Sequence, residues 1–379
     1  MSKLYLLVSV ILFSACSHAK LTQIPLEPKL KLVRGWSFIE PETEILGMES
    51  GAAQTNYSAP VIDGERLIYG SDRFGLMALN KFNGHKIWQK KIKNGVSSTP
   101  LIFQSKIFFG GEDGVFYCLD RNGAELWRSD VSMMPTRGLP IVVDQKVIFA
   151  AIDESVHALD ITTGKPIWAY KRPIFTNTSI HGGGNPSYID GKIWIGFSDG
   201  SIIALNPQDG GVQLEHQYRD NLKFMDIDAR PVPWKDGILI STYDGKLRYL
   251  HHDASVIWEF PMGGARAPVI SSNGENIYLP GSDGNIYSIA GLTNKEIWRS
   301  AVPHGVPTGV ALLEDKNAIA SVSSVERVSV IDMSSGKELA HFDLGHGSGS
   351  FSSIVADPET KSFYVLSSFG RVHQFHFER

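Results

Sequence analysis

The histidines, cysteines and paired carboxylates are the residues whose types could carry chemistry, and their spacing restricts what that chemistry is. His251 and His252 are adjacent. On a strand they leave opposite faces and cannot readily share a metal. His373 and His376, three apart, alternate in the same way. The serines lack a Gly-x-Ser-x-Gly nucleophile elbow set between a strand and a helix. The glycine-rich run Gly345-His346-Gly347-Ser348-Gly349-Ser350 has no helix after it to supply a dipole for a phosphate, so it reads as a loop, as does Gly182-Gly183-Gly184. No convincing set of metal ligands, catalytic residues or cofactor contacts emerges. Two features remain. Asp226 and Asp228 are two apart, so an extended backbone would aim both carboxylates to one side. Cys16 and Cys118 are the two cysteines, with very different surroundings.

The elements that position these residues come from a repeat. Ala158-Leu159-Asp160-Ile161-Thr162-Thr163-Gly164-Lys165-Pro166-Ile167-Trp168 reads as strand, tight turn, strand, with Gly164 free to take a positive φ. Variants of it end at anchors 88, 127, 168, 214, 258, 298 and 339, spaced by 39, 41, 46, 44, 40 and 41 residues. The anchor is Trp88, Trp127, Trp168, Trp258 or Trp298, and Leu214 and Leu339 replace it twice. A period of about 40 residues marks a propeller or similar array. Each unit has four apolar runs, the first often behind a proline or small residue, as in Ala59-Pro60-Val61 and Thr99-Pro100-Leu101. Asp-Gly pairs at 113–114, 199–200, 244–245 and 283–284 predict two-residue type I′ hairpins.

Unit starts fall near 59, 99, 139, 185, 230, 267, 309 and 353, and the last unit lacks a fourth run. Residues 32–39, with Trp36 as anchor, fit as that missing strand. The sequence therefore predicts an all-β, eight-bladed propeller of four-stranded antiparallel blades over residues 32–379, closed by an N-terminal strand. The tryptophans are expected to pack between blades. The seventh unit, without Asp-Gly near 317–325, is the most degenerate.

Ahead of the ring, Lys3 precedes a largely apolar run from Leu4 to Phe13 that is too short for a permanent membrane span. Residues 1–19 read as a signal peptide. Phe13-Ser14-Ala15-Cys16 resembles a bacterial lipobox, which implies lipidation of Cys16. Cleavage after Ala19 is the alternative. Residues 20–31, with Pro25 and Pro28, read as an extended linker between anchor and ring. An exported chain with Cys16 acylated leaves Cys118 no partner for an internal disulfide. Cys118, in the apolar run Val115-Phe116-Tyr117-Cys118-Leu119, is expected to be a buried structural thiol. The net charge of −4 without a basic block excludes a cationic nucleic-acid face.

The repeat resembles the tryptophan-docking motif of quinoprotein dehydrogenases, of which Ala158 to Trp168 is a close match. Many of those enzymes carry an adjacent Cys-Cys pair, and this chain has none. Signal peptide, lipobox, size and blade order are similar to the BamB family of outer-membrane β-barrel assembly lipoproteins. Thr178-Ser179-Ile180-His181-Gly182-Gly183-Gly184-Asn185-Pro186 stands where that family has Leu-Ser-Leu-Arg-Gly-Glu-Ser-Ala-Pro. Asp226-Ile227-Asp228-Ala229-Arg230-Pro231 stands for its Asp-Val-Asp-Thr-Thr-Pro. His181 replaces an arginine and so loses a permanent cation.

The resemblance implies a non-enzymatic scaffold without a cofactor, lipid-anchored at the periplasmic face of the outer membrane. Its partner would be a BamA-like barrel protein, contacted through Thr178, Ile180, His181, Asp226 and Asp228. A solvated loop is the alternative reading of the two aspartates. A soluble periplasmic propeller with another partner or ligand, or a quinone-dependent dehydrogenase, are the alternatives for the whole chain. On the solvated-loop view the carboxylates are exposed, and their removal leaves the fold intact.

Overall fold

A computed structural model describes residues 30–39, 57–172, 184–218, 225–368 and 370–378. Those residues form eight four-stranded antiparallel sheets, arranged as the blades of a ring. Blades 1 to 7 span residues 61–90, 101–129, 141–171, 187–217, 232–260, 269–301 and 307–343. Blade 8 combines residues 355–378 with the N-terminal strand Lys31–Phe38, which pairs with Val372–Glu378 from Lys31↔Glu378 to Phe38↔Val372. The predicted architecture and closure are both present. Six innermost strands begin two residues after the predicted starts 59, 99, 139, 185, 230 and 267, and the eighth two after 353. Blade 7, the degenerate one, begins earlier than expected, at Pro307. A short 3-10 turn, Glu314–Lys316, with Asn317 left-handed at φ 49°, serves there between its first two strands.

The second and third strands of each blade are buried at nearly every position, as in Lys106–Gly110 and Phe116–Asp120. Blades lie face to face around the ring, so both faces of these strands are covered. Continuous apolar runs result, instead of the alternation of a one-sided sheet. Cys118 is fully buried in this layer, and burial pushes its thiol up to about 12, as expected of a structural cysteine.

Tryptophans fasten six of the eight blades to the next. The indole N–H of Trp36 donates to Lys81 O (3.1 Å), Trp88 to Arg121 O (3.0 Å) and Trp127 to Ile161 O (3.2 Å). Trp168 donates to Pro207 O (3.0 Å) and Trp298 to Met333 O (3.0 Å). Each ring lies on the turn glycine of the following repeat. A Cβ on Gly164 would stand 2.5 Å from the Trp127 ring, so this glycine is required by contact as well as by its φ of 70°. Trp258 behaves differently. It packs against Tyr249 (ring centroids 5.5 Å) and Trp234 (6.3 Å), and Trp234 makes the inter-blade bond to Gly274 O (2.9 Å). Trp234 lies on the innermost strand of blade 5, outside the repeating pattern that marked the others.

Hairpin chemistry is a correction. The Asp-Gly pairs do connect second and third strands, and their glycines have φ of 80°, 78°, 81° and 89°, but none of the four aspartates has positive φ. The turns close from Gly114 N–H to Gly111 O (3.2 Å) and from Gly200 N–H to Phe197 O (3.2 Å), with Asp third and Gly fourth. This is type I geometry. The carboxylate accepts the N–H two residues on, as Asp113 does from Val115 (3.1 Å). Paired left-handed residues, as type I′ requires, occur between first and second strands at Gln104-Ser105 and Asp144-Gln145.

Candidate functional site

The backbone before each innermost strand turns toward the ring axis. Ala59, Thr99, Leu139, Asn185, Arg230, Ala267 and Ser353 each stand two residues ahead of such a strand, and all seven line one cavity of about 360 Å³. Contributions from seven blades place this cavity on the axis. The segment carrying Asp226 and Asp228 forms part of its wall, held between blades 4 and 5. Ile227 N–H donates to Phe197 O (3.1 Å), and Asp226 O accepts the N–H of Tyr243 (3.1 Å). Asn185 ties three blades together here: its Nδ2 donates to Asp228 O (2.9 Å), and its Oδ1 accepts the N–H of Leu139 (2.8 Å).

The expectation of exposed carboxylates is overturned. Asp226 is 1% exposed, and the Oδ2 of Asp228 is buried with no hydrogen-bond partner among the described residues. Ile227 between them is fully buried, which draws the segment into the seam. Burial, then Asp226 and then Glu154 push the Asp228 carboxyl up to about 7, against the opposing pull of Arg266. Glu154, 2% exposed on blade 3, accepts the N–H of Ser198 (3.0 Å). Its carboxyl is also raised, chiefly by burial. Among the described residues no group of three or more His, Cys, Asp or Glu has the geometry of a metal site.

Opposite these acids stand cations. Arg137, Arg230 and Arg266 line the same cavity. Arg137 is matched by Glu112, through Nε (3.1 Å) and Nη2 (3.4 Å), and lies over the Tyr57 ring. Arg230 Nε donates to Ser187 Oγ at 3.4 Å, and Arg266 donates to Phe351 O. Neither makes an ion pair among the described residues, and burial lowers both guanidinium pKa values.

Of the residues the sequence singled out, the structure places Asp228 on the cavity wall and Asp226 buried behind it. Thr178, Ile180 and His181, like Cys16, lie outside the described residues. The sequence reading did not find Glu154, Arg266 or Tyr57. Arg230 carried a usable signal: it is a cation at a repeat position that is Ala, Thr, Leu, Asn or Ser in the other blades lining the cavity. Gly196-Phe197-Ser198-Asp199-Gly200 spells a nucleophile elbow, yet it is a hairpin between the strands Lys192–Gly196 and Ser201–Leu205. His251 and His252 lie at a turn after the strand Lys246–Leu250, and His373 is buried against Ser37 Oγ (2.8 Å).

Comparison with known proteins bears on the whole ring. A family model described as outer membrane protein assembly factor BamB matches residues 34–133 and 72–300. The chain is 22% identical over 317 residues to a protein of that name from Shewanella oneidensis, covering 78% of each. The crystal structure of BamB from Moraxella catarrhalis superimposes with a TM-score of 0.73 at 17% identity, covering 92% of this chain and all of that one. A quinohemoprotein alcohol dehydrogenase from Comamonas testosteroni gives a TM-score of 0.72 at 13% identity, over 91% of this chain and 76% of its own. At such identities the structural likeness is one of fold.

Proposed function

The chain belongs to the BamB family of outer-membrane protein assembly factors, and from that premise we propose that it is a non-enzymatic scaffold of the outer-membrane β-barrel assembly machinery. The observation that carries this reading is the family match, which runs through most of the ring instead of resting on one repeat. In this proposal the protein sits at the periplasmic face of the outer membrane, anchored through an acylated Cys16. It binds a BamA-like barrel protein through Thr178, Ile180 and His181 together with the 226–228 segment.

Burial of Asp226 changes how that last segment would act. In this reading Asp226 shapes and charges the wall from behind and Asp228 from its surface, and the partner meets the surface they support. Their substitution therefore has to preserve shape. Asn in place of Asp keeps volume and hydrogen-bonding capacity while removing charge.

The test is partner capture from detergent-solubilised outer membranes, with captured proteins identified by mass. The wild-type protein is expected to retain a barrel protein of the assembly machinery, and Asp226→Asn with Asp228→Asn to weaken that capture at least tenfold while melting cooperatively. In the same strain Cys16→Ala is expected to release the protein from the membrane fraction. Full capture by the folded double variant would remove the 226–228 segment from the interface. Absence of any assembly-machinery barrel protein from the wild-type capture would remove the scaffold reading itself.

A further inference from the structure

The axial cavity holds two partly buried arginines with no ion-pair partner among the described residues. We propose that it is a binding site for a small organic or inorganic oxyanion, a molecule carrying carboxylate or phosphate groups held by Arg230 and Arg266. The first support is geometric. A volume of about 360 Å³ lies in the range of small-molecule sites, and its position on the axis gives it walls from seven blades. Those walls mix a few directed polar groups, Thr99, Asn185 and Tyr57, with apolar Ala59, Leu139 and Ala267. Such a lining orients a ligand as well as attracting it.

The second support is charge. Three arginines and one aspartate line the space. Arg137 is already matched by Glu112. Arg230 and Arg266 are partly buried with no ion pair among the described residues, Asp228 acting on Arg266 only from a distance, and that is costly for a permanent cation. Each guanidinium has five donors in a planar fork, and the bonds to Ser187 and Phe351 use one donor apiece. The remaining donors suit the paired oxygens of a carboxylate or phosphate. Arg266 also lines an adjoining cavity of about 200 Å³ that shares Tyr57 and Ala265. It therefore stands where a ligand extending along the axis would pass.

Asp228 makes the site responsive to pH. It faces Asp226 on its own segment, Glu154 from blade 3, Tyr243 from blade 5 and Arg266 from blade 6. With its proton held to about pH 7, it presents a neutral carboxyl below neutrality, able to donate to an anion, and a repelling carboxylate above. Oxyanion affinity should therefore fall as pH rises from 6 to 8.

Isothermal titration of the mature protein at pH 6 tests this, with citrate as carboxylate probe, pyrophosphate as phosphate probe, and sucrose and choline as neutral and cationic controls. At least one anion is expected to bind with one-to-one stoichiometry and neither control to bind. Citrate alone would assign the carboxylate class, pyrophosphate alone the phosphate class. Arg230→Gln and Arg266→Gln are each expected to weaken binding at least tenfold, and pH 8 to weaken it severalfold. Ala267→Phe, which fills the cavity without touching its charges, is expected to abolish binding and covers the case in which an arginine variant does not fold. No anion binding by the wild type at millimolar concentration overturns the proposal. So does binding that survives both the arginine substitutions and Ala267→Phe.

Discussion

A carboxyl that keeps its proton to about pH 7 reports how far Asp228 has been taken out of water. Its ordinary value is 3.8, and burial disfavours the ionised form before the neighbouring acids add their repulsion. The folded value is raised, so between about pH 4 and pH 7 the unfolded chain gives up a proton that the folded protein retains. Stability from this group is complete below pH 4 and is lost as pH rises through 7. With a shift of this size the loss is at most on the order of 4 kcal/mol. Asp228→Asn should abolish it. Denaturant melts of wild type and variant at pH 4.5 and pH 8 check this: the variant's advantage should grow with pH. An advantage that is the same at both pH values would mean that Asp228 is ionised and solvated in the folded protein.

Among elements, the third-to-fourth-strand turn does two jobs. Gly164 takes a positive φ, and its missing side chain leaves the seat on which Trp127 of the preceding blade rests. Those effects can be separated. Gly191 has a similar φ of 74° with no neighbour within 4 Å of its would-be Cβ. Gly191→Ala should therefore cost only the conformational strain, about 1 kcal/mol. Gly164→Ala adds displacement of a tryptophan ring and should cost at least about 1 kcal/mol more, because overpacking of a filled contact is itself destabilising. Chemical denaturation of both variants decides it, and equal losses would show that the ring does not need the seat. The sequence exposed this turn through its glycine and its period. The contact with Trp127 could not be read there, because its partner lies one blade away.

For the whole molecule, everything depends on the seam where the chain's two ends meet. Lys31–Phe38 supplies the outer strand of blade 8, and Trp36 reaches from it to Lys81 O on blade 1. Lys81, 1% exposed, is ion-paired with Asp357 (2.9 Å) and Glu359 (2.6 Å) of blade 8, and Tyr364 O–H donates to its carbonyl (3.0 Å). Deleting residues 31–38 removes a full strand of pairing, uncovers the edge of Val372–Glu378 and empties the Trp36 site together. The melting temperature should fall by at least about 10 °C, since several kcal/mol are lost in one cooperative unit. A scan of the truncated protein that superimposes on the wild type would sink the closure described here.

The sequence alone determined the all-β class, the number of blades, the start of almost every blade and the strand that closes the ring. These follow from local signals repeated about every 40 residues: apolar runs, turn glycines and a tryptophan anchor, each legible within its own repeat. At blade 7 the local signal fades: the start near 309 falls inside the strand Pro307–Leu313, and pairing with Ala318–Ser323 sets that strand's extent. What only the tertiary structure decided is whatever depends on convergence. Asp226 and Asp228 looked like surface loop residues because their stretch is polar. Asp226 is buried and Asp228 half-buried because Ile227 pulls the segment into the seam between blades 4 and 5. Arg230 and Arg266, on neighbouring blades, and Ala59 and Ser353, nearly 300 residues apart, become neighbours on the axis only when the ring closes. Their shared cavity is a product of that closure, and no single repeat contains it.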